Sequence, residues 1–152
     1  YLSRVVAGAF EVSSDGTTWT EVLNVPGASK NFTFSFDALM RPVVAYQLGD
    51  DATSPAARDV YLYWYDNTIP GFTTLALPVA VSPFLHYDYS VDSASGVGEV
   101  LLFYIVGSDV RYRKQNDRFT IEYTFGQLPA GKTRVTGVGL GTNWRLHVRC
   151  GR

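Results

Sequence analysis

The sharpest alternation of apolar and polar positions lies in residues 99–125. EVLLFYIV (99–106) is a near-continuous run of β-branched and aromatic residues, which predicts a strand covered on both faces. Gly107-Ser108-Asp109 supplies a turn. Val110, Tyr112 and Lys114 then alternate with Arg111, Arg113 and Gln115. After Asn116-Asp117, the residues Phe119, Ile121, Tyr123 and Phe125 alternate with Thr120, Glu122 and Thr124. Period two in successive runs predicts an antiparallel meander. A two-residue loop at Asn116-Asp117 sets Tyr112 opposite Ile121 and Val110 opposite Tyr123 on one face. The other face then carries Arg111 opposite Glu122 and Arg113 opposite Thr120. A loop longer by one residue would mix the two faces, so the tight turn is preferred.

The remaining chain carries the same signals. VVAGAFEV leads into Ser14-Asp15-Gly16-Thr17, and Asp15-Gly16 between alternating segments predicts a hairpin with Val12 opposite Trp19 and Glu11 opposite Thr20. The string SSDGTTW is similar to the Asp-box of sialidase-like propellers, but it is one residue short between Asp15 and Trp19. Further strands are expected at FTFSFD (32–37), VVAYQ (43–47) after Pro42, VYLYWYD (60–66), FTTLAL (72–77) and FLHYDY (84–89) after Pro83. Ala38-Leu39-Met40 reads as one tight turn, while residues 49–58 and 92–96 read as polar loops. A glycine-rich strand pair, 135–141 and 144–149, closes the chain around Thr142-Asn143. No window keeps helical spacing with a cap.

Two blocks resemble one another. Aligning Pro42 with Pro83, and Val60 with Val100, gives a period of about 40 residues with three or four strands per unit, the spacing of a propeller blade. The expected fold is therefore all-β, built of antiparallel meanders with β-propeller-like repeats; a β-sandwich of hairpins is the alternative. A single domain spans 1–152, divided into an N-terminal hairpin (1–25), repeat 1 (32–80), repeat 2 (81–126) and a C-terminal strand pair (133–149).

Composition narrows the chemistry. Charged residues make up 18% of the 152, the net charge is −1, and ten Tyr, nine Phe and three Trp give 14% aromatics. A surface so poor in charge suggests that part of it meets partners. Neutral balance argues against nucleic acid. No apolar run reaches the ~18 residues a spanning helix needs, so no membrane insertion is expected. Cys150 is alone, which removes any disulfide framework within the chain. Starting at Tyr1 rather than Met, the chain is compatible with a segment of a longer polypeptide.

Residues 32–149 resemble a recurring module of tailed-phage virion proteins. The matching segments are Phe34-Ser35-Phe36-Asp37, Arg41-Pro42-Val43-Val44-Ala45-Tyr46, Tyr63-Trp64-Tyr65-Asp66, Tyr112-Arg113-Lys114-Gln115-Asn116-Asp117-Arg118-Phe119, and Gly137-Val138-Gly139-Leu140 with Trp144-Arg145-Leu146. Asn116 stands where the pattern has a second arginine, the loop at 49–58 is long, and the N-terminal hairpin lies outside the pattern. The resemblance implies a structural subunit of a phage or phage-like particle, in the tail or host-contact apparatus. It implies other virion proteins and further copies of the chain as partners, and no activity.

Candidate chemistry is sparse. His86 and His147 are far apart, and no metal-ligand spacing occurs. No nucleophile elbow or phosphate loop is present, so neither catalytic residues nor cofactors are expected. Asp37, Asp66 and Asp88 each end a strand and could share one rim, where a glycosidase would need a carboxylate pair. Arg41, Arg111, Arg113, Arg118 and Arg145 are the arginines a sialidase-like site would draw on, but Arg111 and Arg113 are already assigned to Glu122 and Thr120. If the chain is instead a carbohydrate-binding or receptor-binding module for a host-surface glycan, Trp64, Tyr87, Tyr89 and Trp144 are the stacking candidates. Asp15, Gly16, Arg111, Asn116, Asp117 and Glu122 are expected to be structural, setting turns and register.

Overall fold

The computed structural model describes residues 2–25, 29–48, 59–89, 98–140 and 145–152. Among them there are thirteen strands in four antiparallel sheets and no helix, which establishes the all-β class. The first sheet holds β1 (Leu2–Val6), β2 (Ala9–Ser13) and β3 (Thr20–Asn24) in sequence order. The second is a meander of β4 (Ser29–Phe36), β5 (Pro42–Leu48), β6 (Asp59–Asp66) and β7 (Gly71–Pro78). A third contains β8 (Val81–Asp88), β9 (Glu99–Val106), β10 (Asp109–Lys114) and β11 (Tyr123–Gln127), again a meander. Last come β12 (Arg134–Leu140) and β13 (Leu146–Gly151).

β9 is buried along Glu99–Ile105, as its unbroken apolar run predicts. Alternation sends its residues into two cores. Val100, Leu102 and Tyr104 pack with Val43, Ala45, Val60, Leu62 and Trp64 of the second sheet. Leu101, Phe103 and Ile105 pack with Val135, Val138, Leu146 and Val148 of the closing pair. The third sheet is thus the middle layer. Val60, Leu62 and their counterparts Val100 and Leu102, forty positions on, share one core, so the two similar blocks meet face to face.

Three expectations of register are corrected. VVAGAFEV is two strands, because Ala7 and Gly8 take positive φ (50° and 90°) and form a two-residue turn. Its signal is weak in sequence, since Ala rarely occupies such a position; Gly8 is required, as a Cβ there would lie 2.8 Å from the Val25 carbonyl oxygen. At the next turn Val12 faces Thr20, not Trp19, and Glu11 faces Glu21, not Thr20. The Asp15 carboxylate accepts from the Thr17 and Thr18 N–H groups, both at 2.8 Å, and from the Ser13 hydroxyl, which rounds the loop into a wider Asx-type turn. Those backbone donors, Thr18 first, hold the Asp15 carboxyl well below the usual range.

The third correction concerns the segment after β10. The Asn116-Asp117 hairpin does not form. Tyr112 faces Tyr123 and Val110 faces Gly126, and residues 115–122 make a loop. Phe119 is the cause. Its side chain is fully buried, with its ring 5.6 Å from that of Trp64. Burying a phenylalanine is worth about 1.5–3 kcal/mol, more than the roughly 0.2–1 kcal/mol of each cross-strand pair it forfeits. Arg118 and Phe119 adopt φ of 53° and 54°, a conformation that costs a bulky residue on the order of 1–2 kcal/mol. Asp117 fastens the loop, its carbonyl accepting from Thr120 N at 3.0 Å and its carboxylate from the Tyr123 hydroxyl at 2.8 Å. Ile121, which would have been Phe119's face-mate, is half exposed.

Pro83 also sits inside β8 rather than at its start. Ser82 has φ 55°, and a bulge between Val81 and Phe84 absorbs the missing donor on this edge strand. Thr142-Asn143 and Trp144 lie outside the described residues.

Truncating Phe119 to Ala is expected to lower stability by about 3–5 kcal/mol, against about 0.5 kcal/mol or less for Ile121→Ala. Urea unfolding of the two variants checks this. Equal losses would restore the hairpin.

Candidate functional site

The ends of β4 and β6 and the loop after β10 converge on a cleft of about 410 Å³. Its walls include Asp37, Arg41, Trp64, Asp66, Gln115 and Arg118. Two arginine–aspartate pairs organise it. Asp37 ends β4, where a turn returns the chain: its Oδ1 accepts from Leu39 N and Arg41 N at 2.9 Å each. Its Oδ2 accepts from Arg41 Nε at 2.7 Å and from Gln115 Nε2 at 3.4 Å. Arg41 also donates from Nη1 to Asn67 Oδ1 at 2.8 Å and lies over the Tyr65 ring, 4.2 Å from its centroid.

Asp66 ends β6. Its Oδ1 accepts from the Thr68 N–H and hydroxyl at 2.9 and 2.8 Å, and its Oδ2 from Arg118 Nη2 at 2.6 Å. Arg118 holds the Asp66 carboxyl down at about 2, burial opposing and the Thr68 donors assisting. Glu99, almost fully buried beside Asp88, shifts upward because burial outweighs its hydrogen bond from Asn116 N.

Asp37 and Asp66 therefore do share a rim, whereas Asp88 sits opposite Glu99 and is not part of the cleft wall. Each rim carboxylate is bound by an arginine. Asp66, held ionised by Arg118, is poorly suited to donate a proton to a leaving group. Of the arginines noted in the sequence, Arg41 and Arg118 line the cleft. Arg111 pairs with Glu122 and Asp109. Arg113 donates from Nε to the Tyr104 hydroxyl at 2.9 Å and from Nη1 to the carbonyls of Phe119 and Thr120. The Arg111–Glu122 partnership thus exists without the strand register that suggested it. Tyr104, itself buried and donating to Glu122 at 2.6 Å, is pushed up to about 12, first by burial.

The stacking candidates do not assemble into a platform. Trp64 is only 6% exposed and packs on Phe119. Tyr87 packs against the core and crosses Tyr89 edge-on at 4.7 Å. Tyr89 is 84% exposed, and Trp144 is outside the described residues. Gln115 was missed in sequence as a site residue. It bonds Val100 through backbone and side chain while reaching Asp37, so it ties the middle sheet to the cleft. Asn67 and Thr68 were missed as well, because Asp-Asn-Thr reads simply as a turn. Among the described residues, no cluster of His, Cys, Asp and Glu could hold a metal ion.

The lowered Asp66 carboxyl makes a signed prediction. Its contribution is present above the unfolded value of 3.8 and is lost as pH falls towards about 2. Urea midpoints of the native chain are expected to fall more steeply across that window than those of Asp66→Asn. Parallel profiles would refute the pairing.

Compared with models of protein families, with curated proteins and with solved structures, the chain matches none.

Proposed function

We propose that the chain is a non-enzymatic structural subunit of a phage or phage-like particle, placed in the tail or host-contact apparatus, and that it works by packing against other copies and other virion proteins. The observation that carries the protein-packing part is the face of the second sheet turned away from the third, part of which the first sheet covers where Phe10 meets Phe34 at 5.8 Å. Alternation turns Val60, Leu62 and Trp64 inward and Tyr61, Tyr63 and Tyr65 outward. Cross-strand neighbours extend the aromatic ladder. Tyr46 stacks on Tyr61 at 5.5 Å and 11°, Tyr63 on Phe72 at 4.8 Å and 2°, and Phe32 on Tyr46 at 5.9 Å. Phe34 and Phe72 remain about two-fifths exposed.

Rings stacked on one another present edges and hydroxyls, which suits a protein partner better than a sugar face. The third sheet has a comparable ladder, Phe103–Tyr112–Tyr123, and there β12 and β13 cover part of it. The low charge of the chain supports the same reading. The particle assignment itself rests on the sequence resemblance.

Light scattering after size exclusion tests the packing. The chain is expected to associate as concentration rises through the micromolar range, and Phe72→Asp to remain monomeric, with a melting temperature lower by about 2–4 °C for the lost stack on Tyr63. A native chain that stays monomeric throughout would overturn the proposal.

A further inference from the structure

The cleft between the two arginine–aspartate pairs has more hydrogen-bond donors than acceptors. Five N–H groups saturate Asp37: those of Leu39, Arg41 and Gln115, with Arg41 Nη2 at 2.6 Å completing a fork. Three donors surround Asp66. Both aspartates are buried and commit their lone pairs to the protein.

The donors are not used up. Arg118 spends Nη2 on Asp66, and among the described residues its Nε and Nη1 have no protein partner; its side chain is 48% exposed. Asn67 gives its carbonyl oxygen to Arg41, which leaves its NH₂ group as a donor on the wall. The Asn116 side chain is exposed on the same wall. Stacking surfaces are already taken: Arg41 covers a face of Tyr65, and Trp64 is closed by Phe119. Leu39, 69% exposed, adds an apolar lip.

We infer that this cleft binds a carboxylate-bearing sugar, with the acid group on Arg118 and hydroxyls on Asn67 and Asn116. A guanidinium with unused N–H groups matches a carboxylate in charge and geometry. About 410 Å³ is in the range of small-ligand sites and holds a monosaccharide. A neutral sugar, which relies on stacking against an open ring, finds none free here. The site shares Tyr65 with the aromatic face of the second sheet, but its test reads Arg118 and the two asparagines rather than association, so it can fail while the packing proposal holds.

The test is titration of the full chain with D-galacturonate and N-acetylneuraminate, with D-galactose and acetate as controls, followed by ¹⁵N NMR of the Arg118 Nε–H and the Asn67 and Asn116 side-chain amides. Saturable shifts at these groups are expected with at least one sugar acid, with galactose and acetate each about tenfold weaker or more. Arg118→Gln and, at an exposed position, Asn116→Asp are each expected to weaken binding about tenfold. Equal binding of galactose would overturn the carboxylate assignment, and equal binding of acetate the sugar assignment. Cleft amides that do not move with any acid, or native affinity in both variants, would overturn the site.

Discussion

The fold depends on one ring. Phe119 leaves the strand path that its neighbours prescribe and enters the core between the second and third sheets, against Trp64. That single burial bends residues 115–122 into a loop, moves β11 along β10, and carries Gln115 and Arg118 to the ends of β4 and β6. The strained backbone at Arg118 and Phe119 is tolerated because core burial outweighs it. Without the ring in place, the two arginine–aspartate pairs would lose one wall.

Around that anchor, polar groups are arranged by saturation. Asp37 and Asp66 are buried at strand ends, where backbone N–H groups need partners and charged groups need counterions. Turn donors and arginines supply both. On the cleft wall, Arg118's outer edge and two asparagine amides have no protein partner among the described residues, and these are the groups with chemistry to offer. The aromatic ladder of the second sheet follows a different logic: apolar alternation built for a covered face, with ring edges still in solvent.

Much of the fold was legible because period two is a direct imprint of the pleat. Glu99–Val106 could be read as doubly covered, and the meanders of the second and third sheets followed from their strands and turns. The failures share a cause. Asn116-Asp117 looks like a tight turn, yet the sequence three residues on holds a phenylalanine whose tertiary destination overrides local register. Ala7-Gly8 hid inside an apolar run. Asp37 and Asp66 could be placed at strand ends, but the closeness of Arg118 to Asp66, 52 positions away, is a tertiary fact with no local signal. Trp64 looked like a stacking surface because alternation cannot tell which face of a sheet another layer will cover.

The most direct test of the account is a NOESY spectrum of the native chain in the aromatic region. Contacts between the Trp64 indole and Phe119 ring protons are expected, together with the backbone cross-strand contact of Tyr112 with Tyr123. A Tyr112–Ile121 cross-strand contact, with Phe119 free of Trp64, would contradict the docked loop and the cleft built on it.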